Sequence, residues 1–217
     1  YDTEAGLNAV VNACYTPLRF WAGKEDAIGL SETGTDIIAA GSGCVDNNMA
    51  AYTQSLDGTN SACTFYFDRF YAAINWCNTA IFHAQTVPNP SNDEILATTL
   101  NKREAEARVL RTFYYWILTE TFGDTYYTDQ PSTSIVMNPV KTSTDNIYQY
   151  MFDDLDWAIK SKLSTLQNDG GRVTIWTAKA LKARLLLTRA SEKNDVDMYG
   201  QAYDLAKDVI ENGPFEL

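Results

Sequence analysis

Apolar residues recur along most of this chain at steps of three and four, the spacing that puts side chains on one face of an α-helix. The longest such run comprises Leu100, Ala107, Leu110, Phe113, Tyr114, Ile117, Leu118 and Thr121, and Gly123-Asp124 stops it. Ahead of it, Phe67, Phe70, Tyr71, Ile74, Cys77, Asn78 and Ile81 predict a helix over about 65–86, closed by Pro88 and Pro90. Leu7, Val10, Val11, Cys14 and Leu18 predict a first helix over 3–21, which Pro17 kinks or interrupts.

Further on, Thr142-Ser143-Thr144-Asp145 offers caps for a helix that turns Ile147, Met151, Leu155, Ile159 and Leu163 inward. Beyond Asp169-Gly170-Gly171 the period resumes with Val173, Trp176, Ala180, Ala183, Leu187 and Ala190. Tyr199, Ala202, Ala206, Val209 and Ile210 then carry a last helix over about 198–211, which Gly213-Pro214 ends. The final two helices read as a tetratricopeptide-like pair in a degenerate array, since no strict period of about 34 residues survives. The expected fold class is therefore all-α, a single domain over 1–217 built of tetratricopeptide-like helical hairpins. Two stretches break the pattern. Residues 125–141 are turn-rich, and from 22 to 62 periodicity fails while Gly, Ser, Thr, Asp and Asn accumulate, predicting a long irregular loop region. So long an insert is usually functional or mobile.

Charged residues on the longest helix are candidate chemistry. Glu104 stands one turn before Arg108, the favourable order, and Glu106, Arg108 and Arg111 lie beside Tyr114-Tyr115-Trp116. Charges among so many aromatics are expected to be half-buried and paired, and nothing else in the chain supplies a catalytic partner, so structural ion pairs are the favoured reading. Asp153, Asp154 and Asp156 are expected on a solvated face, because neighbouring helix positions point apart. Neither a carboxylate pair for glycoside cleavage nor a Ser-His-Asp set independent of His83 emerges, so no catalytic residue is assigned and an enzyme is the least supported class.

Composition narrows the partners. A formal net charge of −11 argues against nucleic acid and anionic membrane surfaces. No stretch of eighteen apolar residues occurs, and the chain opens directly in helical sequence, which suggests a processed or trimmed start. The four cysteines, Cys14, Cys44, Cys63 and Cys77, lack metal spacing, and neither a metal nor another cofactor is expected. Cys14 and Cys77 fit small core positions; Cys44 and Cys63 bracket a polar loop, either as thiols or, in an exported protein, as a disulfide.

The order Glu106-x-Arg108-x-x-Arg111-x-x-Tyr114-Tyr115, followed by Phe122-Gly123-Asp124, resembles the signature helix of the SusD/RagB family. A second match runs from Gly171-Arg172 through Thr174, Ala178, Ala180, Leu181 and Ala183 to Arg184, with Thr177 where relatives often carry Ala. Weaker matches lie at Glu4–Ala9 and Tyr203–Leu217, so the resemblance spans nearly the whole chain. It implies a surface-exposed outer-membrane lipoprotein that captures a glycan and passes it to a SusC-like TonB-dependent transporter. It also implies that this is the N-terminal portion of a longer pattern, with export signal and lipidated Cys, the only membrane link, lying elsewhere. A peptide-binding member of the family and a tetratricopeptide-type protein-interaction scaffold stay open as alternatives.

Glycan recognition needs aromatic faces for sugar rings and polar groups for hydroxyls. By resemblance these come largely from the loop between the first two helices, where Trp21, Tyr52, Asp57, Asn60 and Tyr66 are the candidate ligand-binding residues, with Asp46, Asn47, Asn48 and Gln54 nearby. Trp21 and Tyr66 also suit the core, and Asp57-Gly58 suits a simple turn. Tyr126 and Tyr127 are a further exposed possibility; Trp76, Trp116, Trp157 and Trp176 read as packing.

Overall fold

The computed structural model describes residues 2–22, 25–39, 41, 50–89, 91–161, 163–165 and 171–215. Local rules account for most helix boundaries. Thr3 Oγ1 accepts from Gly6 N at 3.1 Å to start α1 (Glu4–Tyr15), and the chain breaks at Pro17, which lacks an N–H, before α2 (Leu18–Ala22). The expected first helix is therefore two.

The expected long loop is only partly irregular, because Glu25–Ser31 forms a short helix, α3. Seven residues are too few for a hydrophobic period to be read, which is why the sequence hides it. Next, α4 (Ser61–Thr86) begins four residues earlier than its apolar stripe suggests, because Asn60 Oδ1 accepts from Ala62 N at 3.0 Å and Cys63 N at 3.3 Å. Asp93 caps α5 (Glu94–Phe122), and Gly123, at φ +69°, ψ −134°, ends it in a conformation that a Cβ would strain.

The turn-rich stretch contains a small antiparallel ribbon, β1 (Thr125–Tyr126) against β2 (Lys141–Thr142). One face of α4 anchors what lies between. Tyr71 OH donates to Tyr126 O at 2.6 Å, Asn78 Nδ2 donates to Thr128 O and Gln130 O at 3.0 and 3.1 Å, and Asn75 Oδ1 accepts from Ser132 N at 2.7 Å. Ser143 then caps α6 (Thr144–Lys160). Thr174 and Thr177 form a reciprocal capping box at the head of α7 (Ile175–Lys193), so the Thr that departs from the family's Ala has a structural task. Asn194, left-handed at φ 54°, turns the chain into α8 (Val196–Asn212).

Consecutive long helices pair as hairpins, α4 with α5, α5 with α6 and α7 with α8, while α1 lies across α4 and α5. The chain is thus all-α and tetratricopeptide-like, as the pattern predicts. Its core joins Leu7, Val11 and Cys14 of α1 to Phe70, Ile74 and Cys77 of α4, Tyr114 and Leu118 of α5, and Ile147, Met151 and Leu155 of α6. Several expectations about faces fail. On α8 only Ala202 is buried, so Tyr199 and Ile210 point to solvent, as does Leu187 on α7, and Phe67 and Trp76 of α4 are exposed rather than packed.

The α5 charges from Glu104 to Arg111 are buried or, at Arg108, half-buried, and all are paired. Arg111 binds Asp154 through Nε and a terminal nitrogen, both at 2.8 Å, and Asn78 Oδ1 at 2.8 Å. Arg108 bridges Asp154 at 2.6 Å and Glu104 at 2.6 Å. Asp154 is therefore no solvated-face residue: helix α6 turns it into the interface with α5, where two arginines compensate it. Glu106 accepts from Tyr15 OH at 2.6 Å and from Arg172 at 2.8 Å, and also pairs with Arg103, tying α1 and the start of α7 to α5. Burial, reinforced by the Glu106 carboxylate, pushes the Tyr15 phenol up, so it remains a donor.

Candidate functional site

A recess of about 860 Å³ opens between the α2–α3 segment, the loop at 52–58 and the C-terminal half of α5. Three of the residues singled out from sequence meet there: Trp21, Tyr52 and Asp57. Trp21 is half-buried, held edge-on against Tyr66 and Phe70 with ring centroids 6.4 and 6.1 Å away. Tyr52 is 71% exposed and sits at φ +48°, a left-handed position that a non-glycine residue occupies only when its surroundings hold it there. Asp57 makes an Asx turn: Oδ1 accepts from Thr59 N at 2.8 Å and Thr59 Oγ1 at 2.7 Å. These bonds, the Thr59 hydroxyl first, hold its carboxyl below the usual aspartate value.

Two sequence candidates leave the site. Tyr66 is 0% exposed, stacked on Phe70 at 5.6 Å inside the core, so it supports Trp21 from behind instead of meeting a ligand. Asn60 is buried with its carbonyl oxygen spent on capping α4. Gln54 is exposed beside the recess but does not line it, whereas Asp46, Asn47 and Asn48, with the Cys44 half of the Cys44–Cys63 pair, lie outside the described residues. Tyr126 and Tyr127 are elsewhere; Tyr127 stacks on Tyr150 at 4.3 Å.

Sequence reasoning missed Trp116. Phe113, Trp116 and Glu120 form a second stripe on α5, beside the core stripe of Leu110, Tyr114 and Leu118, and it faces the recess at Trp116 and Glu120. That offset at three- and four-residue steps was the available signal. The Arg184 guanidinium of α7 lies over the Trp116 ring, 4.8 Å from its centroid, and both residues line the recess. Glu120 accepts a hydrogen bond from Tyr148 OH, which positions its carboxylate. Trp116 and Arg184 also wall a second, more apolar groove of about 480 Å³ between α1, α5 and α7. Among the described residues, no three His, Cys, Asp or Glu side chains converge as a metal site. No described helix is long and apolar enough to cross a membrane.

Fold and recess together define a class: a helical-hairpin protein with an aromatic-walled, carboxylate-edged hollow between a loop and the flank of its longest helix. The chain belongs to the SusD-like family, whose model, described as "Starch-binding associating with outer membrane", matches residues 34–213. A SusD-like protein of Bacteroides ovatus is 30% identical over 154 residues, covering 68% of this chain and 27% of that protein. A SusD superfamily structure from Parabacteroides distasonis superposes with TM-score 0.84 at 20% identity, over 98% of this chain and 46% of that one. A laminarin-binding SusD-like protein superposes with TM-score 0.77 at 22% identity, over 97% and 44%. The chain thus spans less than half the length of each.

Proposed function

We propose that this chain supplies part of a cell-surface glycan-binding protein that captures oligo- or polysaccharide at the outer membrane and delivers it to a partner TonB-dependent transporter. The observation that carries the reading is the meeting of Trp21, Tyr52 and Trp116 with Asp57 and Glu120 around one recess. Aromatic faces offer flat apolar contact to the CH-bearing face of a sugar ring, and carboxylates accept strong hydrogen bonds from hydroxyls. A volume of about 860 Å³ lies in the range of small-molecule sites and has room for more than one sugar. Membership of a family described as starch-binding, and likeness to a laminarin-binding protein, support the choice of glycan over peptide.

Calorimetric titration and affinity electrophoresis with laminarin, soluble starch and xyloglucan test the reading. Tyr52→Ala and Trp116→Ala should each weaken binding by about three- to ten-fold, the range of one lost aromatic stack. Unchanged affinity in both variants would remove the recess as the site while leaving family membership intact. The transporter partnership predicts co-purification of the full-length protein from mildly solubilised outer membrane; its recovery alone would count against that step.

A further inference from the structure

The charged residues around the recess are unequal in sign. Among the described residues it is lined by three carboxylates, Glu32, Asp57 and Glu120, against one guanidinium, Arg184. All four are exposed. Their uncommitted atoms are mostly acceptors. Glu32 makes no side-chain hydrogen bond to a described residue, the exposed Asp57 carboxylate accepts from Thr59 through Oδ1, and Glu120 accepts from Tyr148 through one oxygen. Arg184 has its guanidinium over the Trp116 ring, so its charge is already directed at a ring face.

Resting on the glycan-binding reading above, we infer that this recess selects uncharged glycans and rejects acidic ones, polyuronates and sulfated chains alike. A neutral sugar presents hydroxyl donors all round, each of which can meet an ionised carboxylate oxygen in a charge-assisted hydrogen bond. A uronate or sulfate group presents only acceptors, which would face Glu32, Asp57 and Glu120 acceptor to acceptor, charge against like charge. Discrimination by such repulsive contacts needs no extra attraction to the preferred ligand. The formal charge of the whole chain, −11, acts in the same direction on any polyanion that approaches.

Paired affinity gels settle the matter: laminarin, soluble starch and xyloglucan as neutral probes, alginate and polygalacturonate as acidic ones, at low and at high ionic strength. The neutral probes should bind at least about ten-fold tighter at low salt, a gap that narrows as added salt screens the repulsion. In Glu32→Gln/Asp57→Asn/Glu120→Gln, which keeps side-chain size, the Asx turn and an acceptor for Tyr148, the gap should shrink to about three-fold or less. Acidic probes held as tightly as neutral ones at low salt would overturn the inference and leave glycan binding standing. So would a gap that the triple variant does not alter. Retention by none of the five polysaccharides would overturn the glycan reading itself, and this inference with it.

Discussion

Replacing Asp154 by Ala should be among the most destabilising single changes available in this protein. The carboxylate is buried between α5 and α6 and accepts from Arg111 twice at 2.8 Å and from Arg108 at 2.6 Å. Without it Arg108 keeps Glu104, but Arg111, which is 3% exposed, retains only Asn78 Oδ1 at 2.8 Å and the Asp129 carbonyl at 3.5 Å. Burial alone would pull the Arg111 pKa down; Asp154, joined by the Tyr127 and Tyr115 phenols, holds the value up, so the variant leaves a desolvated cation without its counter-charge. Breaking a buried pair from one side costs about 3–5 kcal/mol. For a domain of this size that lowers Tm by roughly 6–20 °C, at about 2–4 °C per kcal/mol. Thermal and urea unfolding followed by circular dichroism measure it. The double variant Arg111→Met/Asp154→Leu should recover much of the loss, because no charge remains to be compensated. Recovery should be incomplete, since Asn78 Oδ1 loses its donor while Asn78 Nδ2 stays on Thr128 and Gln130. A loss below about 1 kcal/mol in Asp154→Ala, the level of an exposed pair, would refute this account of the α5–α6 interface.

Asn60→Ala should cost about 1 kcal/mol through the lost α4 cap and leave glycan affinity unchanged, measured by unfolding and titration side by side. Gly123→Ala should destabilise by about 1–3 kcal/mol, because φ +69° with ψ −134° is strained for any side chain, even though the space a Cβ would enter is empty; urea unfolding tests this. Asp124 Oδ1 accepts from Thr144 N at 2.8 Å and Thr144 Oγ1 at 3.0 Å, the backbone bond leading, and its carboxyl is held below the ordinary value. A depressed folded-state pKa means that the contribution is fully present above the unfolded value, about 3.9, and is lost as pH falls through the lower folded one. Carboxyl NMR titration should accordingly find Asp124 below that value, and Asp124→Asn should flatten the acid limb of the stability profile.

The sequence by itself determined the long helices, their approximate ends and the family, though not the short α3. Periodicity, Pro17, the cap at Ser143, and the Glu106–Asp124 signature all act over a few residues, and an interaction of that reach is written locally. It also placed three true lining residues, Trp21, Tyr52 and Asp57, because an exposed polar loop is visible as a loss of period. Tertiary structure alone decided the rest. Asp154 faces Arg111 across 43 positions, Arg184 reaches Trp116 across two hairpins, and Tyr66 is sealed by Trp21 from another helix. Whether an aromatic is core or binding wall depends on which helix covers it, and that depends on how distant stripes pack together. Trp116 and Tyr66 look alike in the chain, and only the packing separates the residue that meets the recess from the one that holds its wall.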